Sequence, residues 1–197
     1  MSKLTLDDIL DTRAYERVRD EFRSRVMEVK RRRRIHIGTL VTLMFENRDT
    51  MQLQIQEMIR VEHINTDEGV MDELRAYNPL IPEAGQLCAT MFIELTTDDQ
   101  LREWLPKLAG IERAVEIHLA DGGVIRGHLD AQHEAALSRD NVTAAVHYLY
   151  FDFTPAQVET FASGGARVVI NLPTYREEQD LHPSSVAELL GDLRPLS

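Results

Sequence analysis

Cysteine is almost missing from this chain. Its 197 residues contain one, Cys88, which excludes an intramolecular disulfide and a zinc site built on cysteines. No apolar run approaches the roughly 20 residues of a membrane-crossing helix. The opening Met1-Ser-Lys-Leu-Thr-Leu-Asp-Asp8 has no apolar signal region, so a cytoplasmic location is expected and no membrane partner. There is no glycine-rich phosphate loop, no nucleophile elbow and no His-Glu-x-x-His pair. Positive charge is also short. The 22 Lys and Arg face 33 Asp and Glu, a net charge of -11. That argues against general binding to nucleic acid, whose phosphates need a cationic face.

What is present is a balanced globular composition, 43% hydrophobic and 28% charged. The length suits one well-filled domain, read as 1–197. An N-terminal helix and hairpin occupy 1–85, a strand–helix–strand pair 86–173, and a tail helix 174–197. Thr5 to Asp8 reads as a capping box with Asp in place of Glu. From Thr12, Tyr15, Val18, Phe22, Val26 and Val29 recur at helical steps. Ile35-His-Ile37 and Leu40 to Glu46 read as a hairpin. A helix follows from Asp49 or Thr50. Another follows Asn65-Thr-Asp-Glu68, and Pro79 stops it.

Ala89 to Thr97, a helix opened by Thr97-Asp-Asp-Gln100, and Ala114 to Ala120 make one strand–helix–strand copy. Ala144 to Phe153, a helix opened by Thr154-Pro-Ala-Gln157, and Arg167 to Leu172 make a second. Between them, Asp121-Gly-Gly123 reads as a three-residue hairpin loop. It sets Leu119 opposite Ile125, His118 opposite Arg126 and Glu116 opposite His128. The tail Pro183 to Leu190 reads as a helix capped by Ser184 or Ser185 and closed by Gly191. The fold class is α+β, a mixed, mostly antiparallel sheet with helices packed on it. Its C-terminal part resembles a ferredoxin-like split strand–helix–strand unit.

The organising stretch is Val41 to His63. Val41, Leu43 and Phe45 alternate with Thr42, Met44 and Glu46, a strand covered on both faces. The helix after it is broadly apolar yet carries Gln52, Gln54, Gln56, Glu57 and Arg60. Polar groups on a buried helix must find partners, since an unpaired one costs about 1–3 kcal/mol. Two readings stay open. One is a polar pocket at the strand–helix junction, built from Glu46, Arg48, Gln54 and Glu57. The other is an internal network that only holds the fold.

Three further features have chemical potential. Lys30-Arg-Arg-Arg-Arg34 either closes a helix, where cations complement the dipole, or holds an anionic ligand or partner along the run, Arg33 and Arg34 included. His147 shares a strand face with Ala145, Leu149, Phe151 and Phe153, so it points into an apolar layer. Beside Glu46, Glu57, Glu94 or Glu112 it can serve as an acid–base group or metal ligand; alone it is a satisfied core histidine. His128, Asp130 and His133 have metal-ligand character, in a charged connector running from Leu129 to Asn141.

Several motifs together resemble a known bacterial family of about this length. They are Lys30 to Arg34 followed by Gly38, Phe45-Glu-Asn-Arg-Asp-Thr50, Gln54-Ile-Gln-Glu-Met58, Tyr77-Asn-Pro-Leu-Ile-Pro82, Gly110-Ile-Glu112 and Ala145-Val-His-Tyr-Leu149. The resemblance covers nearly the whole chain. It is to a domain family of unknown function whose genes often neighbour those of rubrerythrin-like di-iron proteins and iron–sulfur oxidoreductases. It implies an accessory role in redox or peroxide metabolism, with redox or iron–sulfur proteins as partners, and supplies no reaction and no cofactor. On the motif positions, Glu46, Arg48, Glu57 and His147 are the candidate catalytic residues. Gln54, Asn78, Glu112, Arg33 and Arg34 are the candidate binding residues. A metal-dependent or acid–base enzyme around Glu46 and Glu57 is the alternative.

Overall fold

The computed structural model describes residues 2–129 and 143–194. Among the described residues, eight strands form two four-stranded sheets, and every pairing between named strands is antiparallel. The first sheet orders β1 (Arg34–Ile37), β2 (Val41–Glu46), β3 (Gln86–Ile93) and β6 (Val146–Asp152). The second orders β5 (Val124–Arg126), β4 (Val115–His118), β7 (Arg167–Leu172) and β8 (Tyr175–Asp180). Around them lie α1 (Thr12–Arg33), α2 (Arg48–Val61), α3 (Asp67–Tyr77), α4 (Asp98–Lys107), α5 (Pro155–Ala162) and α6 (Pro183–Leu193). None of the described helices is long and apolar enough to cross a membrane.

Both expected strand–helix–strand copies are present, as β3–α4–β4 and β6–α5–β7. The strand β3 pairs with β6, and β4 pairs with β7. Each copy therefore gives one strand to each sheet. The sheets meet through Val41, Leu43, Phe45, Met91, Leu149 and Phe151 on one side and Val115, Ile117, Val168 and Ile170 on the other. The far face of the first sheet is covered too. There Cys88 and Tyr150 pack with Met51, Ile55 and Ile59 of α2, Leu74 of α3, and Leu80, Ile81 and Leu4. The all-buried pattern of β2 follows from this double cover.

Tyr175 ties the sheets together at one corner. Its hydroxyl donates to the Ile37 carbonyl at 2.8 Å and accepts from the Leu40 amide at 3.1 Å. Gly38 lies beneath that phenol at φ +63, where an added Cβ would sit 2.4 Å from the oxygen. Only glycine meets both conditions.

Several boundaries differ from the sequence reading, each for a local reason. The helix α2 starts at Arg48, because Asn47 caps it by accepting from the Thr50 amide at 2.9 Å. Thr66, rather than Asn65, caps α3. In the hairpin, His118 faces Val124 and Glu116 faces Arg126, two residues tighter than expected. The Leu119 amide donates to the Gly123 carbonyl at 2.8 Å, closing a three-residue loop over 120–122 in place of 121–123. The shift is even, so the faces are unchanged. His128 consequently bridges to Tyr150 of the other sheet instead of Glu116. The tail helix is capped by the His182 ring and runs through Gly191 to Leu193. The charged strand β8 is an addition. Its Arg-Glu-Glu-Gln-Asp run has no apolar alternation, because it is an exposed edge whose main chain is held by β7. Asp130 and His133 lie outside the described residues.

Candidate functional site

The polar residues of α2 do not gather into one pocket; three faces of the helix use them separately. On the first face, Gln56 holds the chain entering α1 by its main chain. Its amide oxygen accepts from the Leu10 N–H at 2.9 Å, and its amide nitrogen donates to the Leu10 carbonyl at 3.0 Å. Gln52 donates to the Asp8 carbonyl, and Arg48 pairs with the Asp8 carboxylate at 2.5 Å. Asn78 does the same for Leu4, accepting from its N–H at 2.8 Å and donating to its carbonyl at 2.9 Å. Arg48 thus straps the N-terminal segment, which corrects its place in the junction pocket, and the binding candidate Asn78 holds the same segment.

On the second face, Glu57 turns to α1. Its carboxylate takes a two-pronged bond from Arg19, at 2.8 and 2.9 Å, and the Tyr15 hydroxyl at 2.6 Å. The Arg19 bond, with Tyr15 adding to it, lowers its pKa to about 2. Burial, followed by the bond to Glu57, raises the Tyr15 phenol. Glu57 is part of a helix–helix clamp and does not join Glu46.

The third face opens onto a cavity of about 180 Å³. Glu46 and Gln54 line it with Thr90, Tyr77, Tyr148, Lys30 and Arg34, over walls that include Met44, Met51 and Leu80. Pairing places these groups. Glu46 ends β2 opposite Cys88, and Arg34 lies opposite Met44. Period-two alternation then puts Arg34, Met44, Glu46 and Thr90 on one face. Tyr148 joins them opposite Thr90.

Glu46 is 4% exposed. One carboxylate oxygen accepts from the Thr90 hydroxyl at 2.7 Å and the other from the Thr50 hydroxyl at 2.6 Å. Among the described residues it has no ion-pair partner, and neither do Lys30 and Arg34. A carboxylate offers about four acceptor positions, so roughly half of its capacity remains. Burial, then the neighbouring Tyr77 and Glu46, raises the Tyr148 phenol. It stands in the cavity as a neutral hydroxyl.

The basic run is divided by the end of α1, which closes at Arg33 and leaves Arg34 to open β1. Arg33 is 1% exposed and grips both oxygens of Asp192 at 2.7 and 2.8 Å, with Glu188 at 3.2 Å. Burial works against its charge, and the Asp192 bond more than offsets that, so the guanidinium titrates above its ordinary range. Arg32 also pairs with Glu188, and Arg31 with Glu28. That leaves Lys30 and Arg34, four residues apart, for the cavity. Arg33 is therefore a structural residue joining α1 to α6, a correction to its place among the binding candidates.

His147 lies on the opposite face of the same sheet. It pairs with Met91, three residues beyond the Cys88 that faces Glu46. An odd separation means opposite faces, so the pair of Glu46 and His147 is not assembled. The His147 Nε2 is 2.7 Å from the Thr143 hydroxyl and 2.9 Å from the Ala144 carbonyl. Burial lowers its pKa, with the charge of Glu112 opposing. Glu112, in the turn Ile111–Arg113, is buried near His147 and away from the cavity. Among the described residues, no group of three His, Cys, Asp or Glu side chains is placed to hold a metal ion.

Sequence reasoning missed Tyr77, Thr90 and Tyr148 as cavity residues, and named Lys30 only within the Lys30–Arg34 run. A signal existed for Thr90, which interrupts an apolar strand. Tyr77 and Tyr148 reach the site only through tertiary packing.

No curated protein matches the chain. A crystal structure at 1.90 Å of a novel protein of unknown function from Burkholderia pseudomallei K96243 is similar throughout. It is 34% identical, covers 98% of this chain and 100% of that one, and superposes with a TM-score of 0.89. The family model described as protein of unknown function (DUF3501) matches residues 3–193. The chain belongs to the DUF3501 family.

Proposed function

We propose that this protein is an accessory protein that binds a small polar metabolite in the cavity bordered by Glu46. One observation carries the reading: a buried carboxylate, oriented by two threonine hydroxyls and free of any cation in contact, faces a cavity rimmed by two unpaired cations. Asp192 is matched to Arg33 within the fold, whereas the Glu46 charge is buried without such a match, which is costly. The space is about 180 Å³. At about 30 Å³ per water that is roughly six waters, below the usual 300 Å³ of drug-sized sites. The role beside iron-containing redox enzymes rests on the family resemblance alone, and a native pull-down that recovers no such enzyme removes it.

The cavity is tested with Val146→Trp. Val146 lines it on an edge strand and is 44% exposed, so a larger side chain fills the space without entering the core. In a thermal-shift screen of small metabolites, the wild type is expected to rise in Tm with a subset of them and the variant with none. A screen that raises neither protein, or both equally, overturns the proposal.

A further inference from the structure

We infer that the ligand class of this cavity is a small amino-dicarboxylate, a molecule with two carboxylates and one ammonium group. The inference rests on the binding role proposed above and names what is bound.

Charge is the first argument. Lys30 and Arg34 contribute two positive charges and Glu46 one negative, so the lining as a whole is singly positive. An amino-dicarboxylate at neutral pH is singly negative, and its charges are distributed in the same two-to-one ratio. A simple dicarboxylate would neutralise the cations but leave Glu46 facing no donor. A neutral amino acid would satisfy Glu46 and one cation and leave the other unmatched.

Hydrogen-bonding capacity is the second. Thr90 donates its hydroxyl hydrogen to Glu46, and Thr50 donates at 2.6 Å to Glu46 with the Asn47 carbonyl a longer acceptor at 3.1 Å. The unused acceptor positions of the carboxylate therefore need donors from the ligand, and an ammonium group brings three. Arg34 presents a planar fork suited to a carboxylate, and Lys30 a compact charge that suits a second one. The amide of Gln54 and the hydroxyl of Tyr77 line the same space and can serve either end.

Shape is the third. Glu46 closes the strand end, whereas Lys30 and Arg34 straddle the junction of α1 and β1. Arg34 lies opposite Met44, two residues before Glu46 on the same face, so the apolar Met44 stands between these two charges. A short apolar backbone between ligand charges matches that wall, and the volume admits no long chain.

The test is isothermal titration of the full chain with L-aspartate, L-glutamate, succinate, L-malate and L-alanine, at low ionic strength. At least one amino-dicarboxylate is expected to bind at least about tenfold tighter than each of the other three. Glu46→Gln is expected to erase the preference over succinate, and Lys30→Ala with Arg34→Ala the preference over alanine. Succinate or malate binding as tightly as the amino acids overturns the ammonium assignment, and alanine doing so overturns the second carboxylate. If none of the five binds while other metabolites still raise the Tm of the wild type and not of Val146→Trp, the class is wrong and the cavity stands. If none binds and no metabolite separates the two proteins, both are overturned.

Discussion

Two carboxylates in this protein are removed from water to nearly the same degree and are treated in opposite ways. Asp192 is 2% exposed and Glu46 is 4% exposed. Asp192 meets a guanidinium on both oxygens, deep between α1 and α6. Glu46 meets only hydroxyls, although two cations line the same cavity. In the closed pair the carboxylate charge is already matched by a cation inside the fold, and the pair holds structure. An open one keeps acceptor capacity for something that arrives from outside. The difference separates a structural ion pair from a site more sharply than burial does.

The largest effect should come from breaking the closed pair. Asp192→Ala strands the Arg33 charge indoors and is expected to cost about 3–5 kcal/mol in urea unfolding. Replacing both partners with apolar residues, Arg33→Met with Asp192→Leu, should recover most of that loss. If the single variant is neutral, Asp192 is no better matched than Glu46 and the contrast disappears.

A partly exposed clamp should fall between the two. Glu57 retains 26% of its side-chain exposure, so solvent screening keeps its worth near 1 kcal/mol. Its folded pKa, about 2, lies below the ordinary 4.5. Its contribution is therefore fully present above about pH 4.5 and is lost as pH falls toward 2. Glu57→Gln should lower stability near neutral pH and flatten that acid limb, as followed by circular dichroism.

Opening the unpaired site should cost less. Glu46→Gln is expected to change stability by under about 1 kcal/mol, since the amide oxygen still accepts from a threonine and no ion pair is broken. A loss as large as that of Asp192→Ala would mean that Glu46 is structural. Smallest of all, Lys30→Ala and Arg34→Ala should each fall within about 0.5 kcal/mol, as surface positions without partners do. Both are read by Tm with no ligand added.

The sequence carried the elements well wherever a side-chain pattern and a cap agreed. Thr97 with Gln100, and Thr154 with Gln157, form the capping boxes their spacing implied. The strand β2 is covered on both faces, as its two apolar faces implied. The strand β8 was hidden because its stability comes from backbone bonds to β7, which leave no mark on its charged side chains. The surplus of polar groups on α2 was readable, but not its division. Gln52, Gln56 and Arg48 answer to the N-terminal segment, Glu57 to α1, and only Gln54 to the cavity. Which neighbour lies against each face is a long-range fact, and helical spacing within α2 does not contain it.

By itself, then, the sequence determined an α+β chain whose polar helix had to be satisfied indoors, because unpaired polar groups are too costly to bury. It also determined that Glu46 ends a strand covered on both sides. Only the tertiary structure decided that Arg33 would be locked to Asp192 while Lys30 and Arg34 were left for a cavity. It alone set His147 on the other side of the sheet from Glu46. Partners that lie dozens of residues apart are chosen by strand register and helix docking, which no local pattern encodes.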